Sequence, residues 1–281
     1  MSGNVLVTGA STGIGRETAL LLAKNGFTVF AGVRRASDGE ALAEAASGSL
    51  VPLLIDVTNA SQIAEAASMI TERVGASGLA GLVNNAGIAT ATPLEFVPID
   101  DLRHQLDVNV VGQVAVTQAM LPLLRLARGR IINVTSIGGL IAGQMLGPYN
   151  ASKFALEAIT HVLRQELAPW GIEVIAIEPG QIATPIWGTA SANSDRMLAS
   201  LPPIVEEYYG ERMAGARRMA AKAAAEGLPP IEVARVIERA LTAKRPKTRY
   251  PVGTDAKLGA ALIARLPDRQ RDKLFGARRM R

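Results

Sequence analysis

Tyr149 and Lys153 stand four residues apart where the chain reads as a helix running through Ala151 to Leu167, so phenol and ammonium share one helix face. A phenol titrates near pH 10, a poor match for proton transfer at neutral pH, and a neighbouring ammonium stabilises the phenolate. Ser136 ends the run Val134-Thr135-Ser136, the kind of strand edge at which open α/β sheets place ligands, and its hydroxyl can orient a substrate oxygen. The chemistry these three suit is acid–base catalysis at an oxygen. Each also has an ordinary reading, since Tyr-x-x-x-Lys is common on helix surfaces and a strand-end serine often caps a turn.

A second group suits an anionic ligand. The apolar run Val5-Leu6-Val7 enters Thr8-Gly9-Ala10-Ser11-Thr12-Gly13-Ile14-Gly15, and a helix from Ile14 to Lys24 follows at once. Glycines at 9, 13 and 15 allow a tight turn, close approach of the main chain to a pyrophosphate, and close packing of helix on strand. The helix N-terminus adds unpaired N–H groups and partial positive charge. With strand and helix both in place, this loop is expected to hold a dinucleotide.

These groups need a frame to bring them together. Short β-branched runs at Val5–Thr8, Thr28–Val33, Leu50–Val57, Leu82–Val83, Arg130–Thr135 and Glu173–Glu178 alternate with longer Ala- and Leu-rich segments. That alternation means parallel strands joined by right-handed crossovers, with helices on both faces. Leu53-Leu54-Ile55 and Ile131-Ile132 lack polar alternation, as strands buried on both faces do. The expected fold class is α/β, a doubly wound parallel sheet of Rossmann type in a single domain over residues 1–281. After Pro185 the rhythm breaks, and residues 185–230 are expected to form a small helical lid over a substrate. Helix Ile231–Thr242, strand Thr248–Val252 and a basic extension over 244–281 complete the chain.

The glycine spacing, Asn84-Asn85-Ala86-Gly87 after the fourth strand, and Tyr149-x-x-x-Lys153 together resemble the short-chain dehydrogenase/reductase family. The resemblance covers roughly Asn4 to Trp187 and points to the shorter oxidoreductase branch. It implies hydride transfer between a nicotinamide and a carbonyl or alcohol, with Tyr149 as general acid/base. Lys153 would shift the phenol and hold the nicotinamide ribose, Ser136 would orient the substrate oxygen, and Asn109 would anchor a water in a proton relay. Gly9, Ser11, Thr12, Gly13, Ile14, Gly15, Asn85, Ala86 and Gly87 become cofactor-binding residues. Asp56 and Val57 resemble the adenine contact, and Pro179, Gly180, Ile182 and Thr184 the segment beside the nicotinamide and diphosphate. His104 and His161 match nothing in the pattern and read as structural or surface residues.

The second strand ends Gly32-Val33-Arg34-Arg35 with no acid before Asp38. Arg34 and Arg35 can pair with a 2′-phosphate, and an unphosphorylated ribose would lack its usual carboxylate partner, so NADP(H) is the expected cofactor. Residues such as Trp187, Met197, Leu201, Tyr208, Tyr209 and Met213 in the lid suit a small apolar carbonyl or alcohol substrate. The segment Arg249-Tyr250-Pro251-Val252-Gly253 is loosely similar to hydroxysteroid and retinol dehydrogenase-like members. A reductase of 3-oxoacyl carrier substrates and a non-catalytic dinucleotide-sensing module are the alternatives. The resemblance also implies a homodimer or homotetramer.

Composition sets outer limits. The 281 residues carry 48% hydrophobic and 20% charged side chains, which suits a substantial core rather than a disordered chain. No cysteine and two histidines remove thiol chemistry and disfavour a metal site, and none is expected. Net charge is +5, yet residues 244–281 hold 12 Lys+Arg against 3 Asp+Glu, so the basicity is C-terminal. It reads first as a solvated face, and no nucleic-acid partner is expected. No basic or long apolar stretch precedes Val5 and no later run looks long enough to span a bilayer, so the expectation is a cytoplasmic protein without a membrane span.

Overall fold

In the computed structural model, which describes residues 3–188, 194, 197 and 201–274, strand β1 (Asn4–Val7) lies between β2 (Thr28–Val33) and β4 (Gly81–Asn84). Strand β3 (Leu50–Leu54) adds outside β2, while β5 (Arg130–Val134), β6 (Glu173–Pro179) and β7 (Arg249–Val252) extend the other side. All pairs are parallel, in the order β3-β2-β1-β4-β5-β6-β7. The order reverses between β1 and β4, so the chains leaving these strands diverge and open a crevice at their C-terminal ends. The glycine loop leaves β1 and Asn85–Gly87 leaves β4, which puts both motifs at that switch point.

Ten helices over the described residues surround the sheet: α1 (Gly13–Lys24), α2 (Ala36–Ala45), α3 (Ala60–Val74), α4 (Ile99–Leu106), α5 (Gly112–Ala127), α6 (Gly147–Leu167), α7 (Ile204–Glu226), α8 (Pro230–Thr242), α9 (Thr254–Ala261) and α10 (Asp268–Leu274). Strand alternation divides the apolar residues between two cores. Val5, Val7, Val29 and Ala31 pack with Leu22 of α1 and with Ile237 and Leu241 of α8. Leu6 and Phe30 point the other way, onto Ile63 and Ile70 of α3 and Met120 and Leu124 of α5. Val233, Ala234, Ile237, Ala240 and Leu241 bury one stripe of α8 at helical spacing.

Two boundaries differ from the sequence reading in ways that matter for the site. Helix α6 begins at Gly147 rather than Ala151, with Pro148 in its first turn, where a missing N–H costs nothing. Tyr149 is therefore inside the helix. Strand β3 stops at Leu54, because Asp56 turns back to accept from Thr58. Of the lid expected over 185–230, residues 189–193, 195, 196 and 198–200 lie outside the described residues, and helix α7 makes up most of the rest.

The expectation that no run is long enough to cross a membrane needs correction. Helix α4, a π-helical turn at Asp107–Val111 and α5 are continuous from Ile99 to Ala127, 29 residues whose most apolar window has a mean hydropathy of 1.4, enough by length and composition to span a bilayer. Here 39% of that window is buried within the domain, where α5 packs on α3 and β4.

Candidate active site

The glycine loop is locked to the strand-β4 turn by side chains the motif supplies. Thr8 Oγ1 accepts from the Asn85 and Ala86 N–H groups, each at 3.0 Å, and Asn85 Nδ2 donates to the carbonyls of Thr8 at 2.9 Å and Gly9 at 3.1 Å. Gly9 has φ 63°, and a β-carbon there would lie 2.8 Å from Ala86 Cα. At Gly15 a β-carbon would meet the Gly9 carbonyl oxygen at 2.2 Å, so this glycine sets the approach of α1 to the loop. Thr12 occupies the N-cap position of α1 without capping through its side chain, which leaves first-turn N–H groups free of a side-chain partner. Such an uncapped end, lined by Gly9, Ser11, Thr12, Gly13 and Ile14, fits a dinucleotide diphosphate.

One cleft runs from this loop in both directions. Toward β2 and β3 it is lined by Arg34, Asp56 and Val57, and toward α6 by Ser136, Tyr149 and Lys153. Asn85, Ala86, Gly87, Pro179, Gly180, Ile182 and Thr184 also line it. Of the residues expected at the cofactor, Gly15 and Arg35 do not. Gly15 acts through packing, as above. Arg35 is exposed and turns away, its Nε and Nη2 donating to the Asp38 carboxylate at 2.9 and 3.0 Å, so it does not share the Arg34 position as expected.

The Arg34 end holds a further group, one expected from the sequence to be structural or on the surface. His104 of α4 lines the cleft, and its charge acts on Asp56. Burial raises the Asp56 carboxyl, but hydrogen bonds from Thr58 and the charges of Arg34 and His104 outweigh it and hold the group below its usual value. Asp56 is thus a carboxylate that receives Thr58 on Oδ1 and keeps its place through Gln62, whose Oε1 accepts from the Asp56 N–H at 2.7 Å.

At the other end the acid–base group assembles around β5 and α6. Ser136 follows β5 and its Oγ accepts from the Gly138 N–H at 3.0 Å, which fixes the hydroxyl at the mouth of a short turn. Tyr149 hydrogen-bonds Ser136 through its hydroxyl. The Lys153 ammonium lies 5.8 Å from the Tyr149 ring centre and donates to the Val134 carbonyl at 2.9 Å. Burial pushes the Tyr149 phenol above its ordinary value, with the Ser136 hydrogen bond acting the other way. The protein's own groups thus hold the phenol above its ordinary value and do not tune it toward neutral pH as expected from the sequence. Lys153 is brought down to about 8 because burial penalises its charge, opposed by the carboxylate of Glu157.

Asn109 sits in the π-helical turn and is 1% exposed. Its Nδ2 donates to the Ile88 carbonyl at 2.9 Å and to Ser152 Oγ at 3.0 Å, and its Oδ1 accepts from the Ile88 N–H at 2.9 Å. Both amide donors are used, so the side chain ties the strand-β4 loop to α6, and it is not among the cleft-lining residues. Below it a polar ladder crosses the core, with Asn84 bonded to Thr117 and Asn133, and Asn133 to Thr160. Asn150, adjacent to Tyr149, spans the Ser136 turn by donating to Gly138 O at 2.8 Å and accepting from Gly143 N at 3.1 Å. No motif in the sequence announces this clamp.

The loop after β6 closes the cleft. Trp187 lines it with its indole pinned, Nε1 donating to the Ile182 carbonyl at 2.7 Å. Asp255, at the start of α9, accepts from the Gln181 N–H at 2.7 Å and occupies the space that a β-carbon on Gly180 would need. Over the apolar side, Val205, Tyr209 and Met213 of α7 pack with Met145 and Phe96, and the Tyr209 hydroxyl donates to Glu95 at 2.6 Å.

Comparison with known proteins agrees with this geometry. The family model for short chain dehydrogenase matches residues 3–195. The chain is 39% identical to Retinol dehydrogenase 5 from Mus musculus over 277 residues, 96% of this chain and 87% of that protein. It is 38% identical to the NADPH-dependent 3-dehydrocapnine reductase of Ornithobacterium rhinotracheale over 275 residues, 96% and 95% of the two chains. Among solved structures, a short chain dehydrogenase from Burkholderia cenocepacia in complex with NADP superposes with a TM-score of 0.72 and 28% identity, over 98% of this chain and 97% of that one. A short-chain dehydrogenase from Streptomyces avermitilis gives 0.76 and 26%, over 92% and 90%. With its seven-stranded parallel sheet, its glycine loop and the Ser136, Tyr149 and Lys153 side chains at one crevice, the chain belongs to the short-chain dehydrogenase/reductase family of oxidoreductases.

Proposed function

We propose that this protein is an NADP(H)-dependent oxidoreductase that interconverts an apolar ketone or aldehyde and the corresponding alcohol. The observation that carries this reading is a single cleft with Arg34 at one end and Tyr149, Lys153 and Ser136 at the other. Arg34 is exposed into that cleft while Arg35 is held by Asp38, so one guanidinium remains for a 2′-phosphate. An NADPH-dependent relative and an NADP-bound structural relative support the same cofactor. Relatives with retinol or estradiol in their names, together with the Trp187 wall and the apolar α7 contacts, support an apolar substrate.

A bound nicotinamide supplies or accepts the hydride. For reduction, Ser136 donates to and orients the carbonyl oxygen, and Tyr149 delivers its proton to that oxygen as the C–O group becomes an alkoxide. The raised phenol is protonated at neutral pH and so starts in the state that reduction needs. The phenolate left behind is stabilised by the Ser136 hydroxyl and the nearby Lys153 charge. Oxidation of an alcohol runs the same transfer backwards.

A panel of apolar ketones and aldehydes, followed by loss of NADPH absorbance, tests the proposal. Turnover that grows with the apolar size of the substrate and exceeds turnover with NADH supports it. A folded protein that oxidises neither cofactor with any member of the panel contradicts it.

A further inference from the structure

Beneath Lys153, away from the cleft, α6 carries Glu157 one turn on and His161 a further turn on, so Tyr149, Lys153, Glu157 and His161 form one column. Glu157 is 5% exposed; its Oε2 accepts from Arg249 Nη2 at 2.7 Å, and its Oε1 is buried without a hydrogen-bond partner. Arg249, on β7, also donates to the buried Glu178 of β6 and to His161 Nε2. Gly139 makes room for the carboxylate, because a β-carbon there would lie 3.0 Å from Glu157 Cγ and 2.9 Å from the Lys153 carbonyl oxygen. That glycine closes the turn opened by Ser136. Two buried carboxylates face one guanidinium, an excess of negative charge placed one helical turn below the active-site ammonium.

We infer that Glu157, clamped by Arg249, is a positioning residue that holds Lys153 in its charged form. The effect on turnover rests on the oxidoreductase reading above; the effect on the lysine does not. Burial draws Lys153 down to about 8, and the Glu157 charge is the opposing influence. The other groups facing this column are Arg164 of α6, Glu178 of β6 and Arg249 of β7. Burial raises Glu178, with Glu157 adding to the rise and Arg249 opposing it. His161 is lowered by burial and by Arg249 and Arg164 against Glu157, and its Nε2 accepts from Arg249, so it is neutral at pH 7. Arginine suits this place because its planar fork can reach both carboxylates at once, where a lysine offers a point charge.

The test titrates cofactor-free protein carrying 13C at lysine Cε, with the Lys153 resonance assigned by its loss in Lys153→Arg. Glu157→Gln should lower the Lys153 midpoint by at least half a pH unit, about threefold in the protonation equilibrium. The alkaline limb of the NADPH-dependent rate should move down by the same amount. Glu157→Met removes the charge and the unpaired Oε1 together, and carries the same measurement should the glutamine variant not fold. An unmoved midpoint in a folded variant overturns the proposal, as does loss of kcat with midpoint and limb both in place, which marks a merely structural residue. Absence of turnover in the wild type would sink the oxidoreductase reading alone, since the lysine titration still decides this one.

Discussion

The Lys153 ammonium donates to the main-chain carbonyl of Val134 at 2.9 Å, which fastens the second turn of α6 to the last residue of β5, two positions before Ser136. The bond fixes the distance between the helix that carries Tyr149 and the strand that Ser136 follows. It also holds a cation in a place that is 6% exposed. Pre-organisation of this kind costs folding stability and gains a fixed site for the developing phenolate.

That cost has a pH signature. Below about pH 8 both the folded and the unfolded chain carry the Lys153 proton, and between there and the ordinary lysine value of 10.5 only the unfolded chain does. Stability therefore rises with pH across this window, by roughly 3 kcal/mol from this group. Chemical denaturation of the cofactor-free protein at pH 7.5 and 10 should show the rise in wild type and lose it in Lys153→Met. Parallel pH profiles for the two proteins would mean that the ammonium is solvated.

Cofactor choice should depend on Arg34 and not on Arg35. A charge-assisted contact to phosphate is worth about 1.5–3 kcal/mol, so Arg34→Ala should weaken NADPH by ten-fold or more and leave NADH nearly unchanged. Arg35→Ala, which breaks only the Asp38 pair, should change either affinity by less than about three-fold. Fluorescence titration of both cofactors checks this. Equal loss in the two variants would show that Arg35 leaves Asp38 when the cofactor binds.

The substrate wall can be probed at Trp187, whose indole is held by Ile182 while its ring lines the cleft. Trp187→Ala removes apolar contact area without touching Tyr149, so kcat/KM for large apolar substrates should fall by ten-fold or more while small aldehydes lose little. A uniform loss across substrate sizes would assign Trp187 to the fold of the loop.

Helix α7 is fastened across the apolar side by the Tyr209–Glu95 hydrogen bond and by an edge-to-face contact of Tyr209 on Phe96 at 6.0 Å. Tyr209→Phe removes the first and keeps the second. Amide exchange over 204–226 should then quicken a few-fold, as loss of one exposed hydrogen bond allows, and slow again when NADPH and an apolar ketone are both present. Exchange unaffected by the variant and by ligand would mean that α7 packs as a fixed part of the body.

Much of this architecture is legible in the sequence. Strand–helix alternation was enough for the doubly wound sheet, and ordered motifs placed Gly9–Gly15, Asn85–Gly87, Ser136, Tyr149 and Lys153 near one crevice, because the first three follow strand ends directly and the last two lie on the helix that returns past the end of β5. What stayed hidden depended on contacts distant in sequence. Arg34 and Arg35 are indistinguishable as neighbours until Asp38 is seen to hold one of them. His104 lines the cleft, Asp255 holds the loop beside it and Arg249 clamps Glu157 beneath Lys153, each from an element that no spacing rule links to the site. The apolar reach of Ile99–Ala127 is hard to read as a run because Asn109, Gln113, Thr117, Gln118 and Pro122 punctuate its uncharged stretch, while in space one continuous helix carries it.

The account stands most directly on Tyr149. Stopped-flow measurement of NADPH oxidation with the best ketone of the panel, in wild type and Tyr149→Phe, alongside NADPH affinity for both, isolates the proton from the binding. The predicted result is a rate lower by about a thousand-fold or more in the phenylalanine variant, with NADPH affinity within a few-fold of wild type. A variant that keeps more than a tenth of the wild-type rate would contradict the assignment of Tyr149 as the acid.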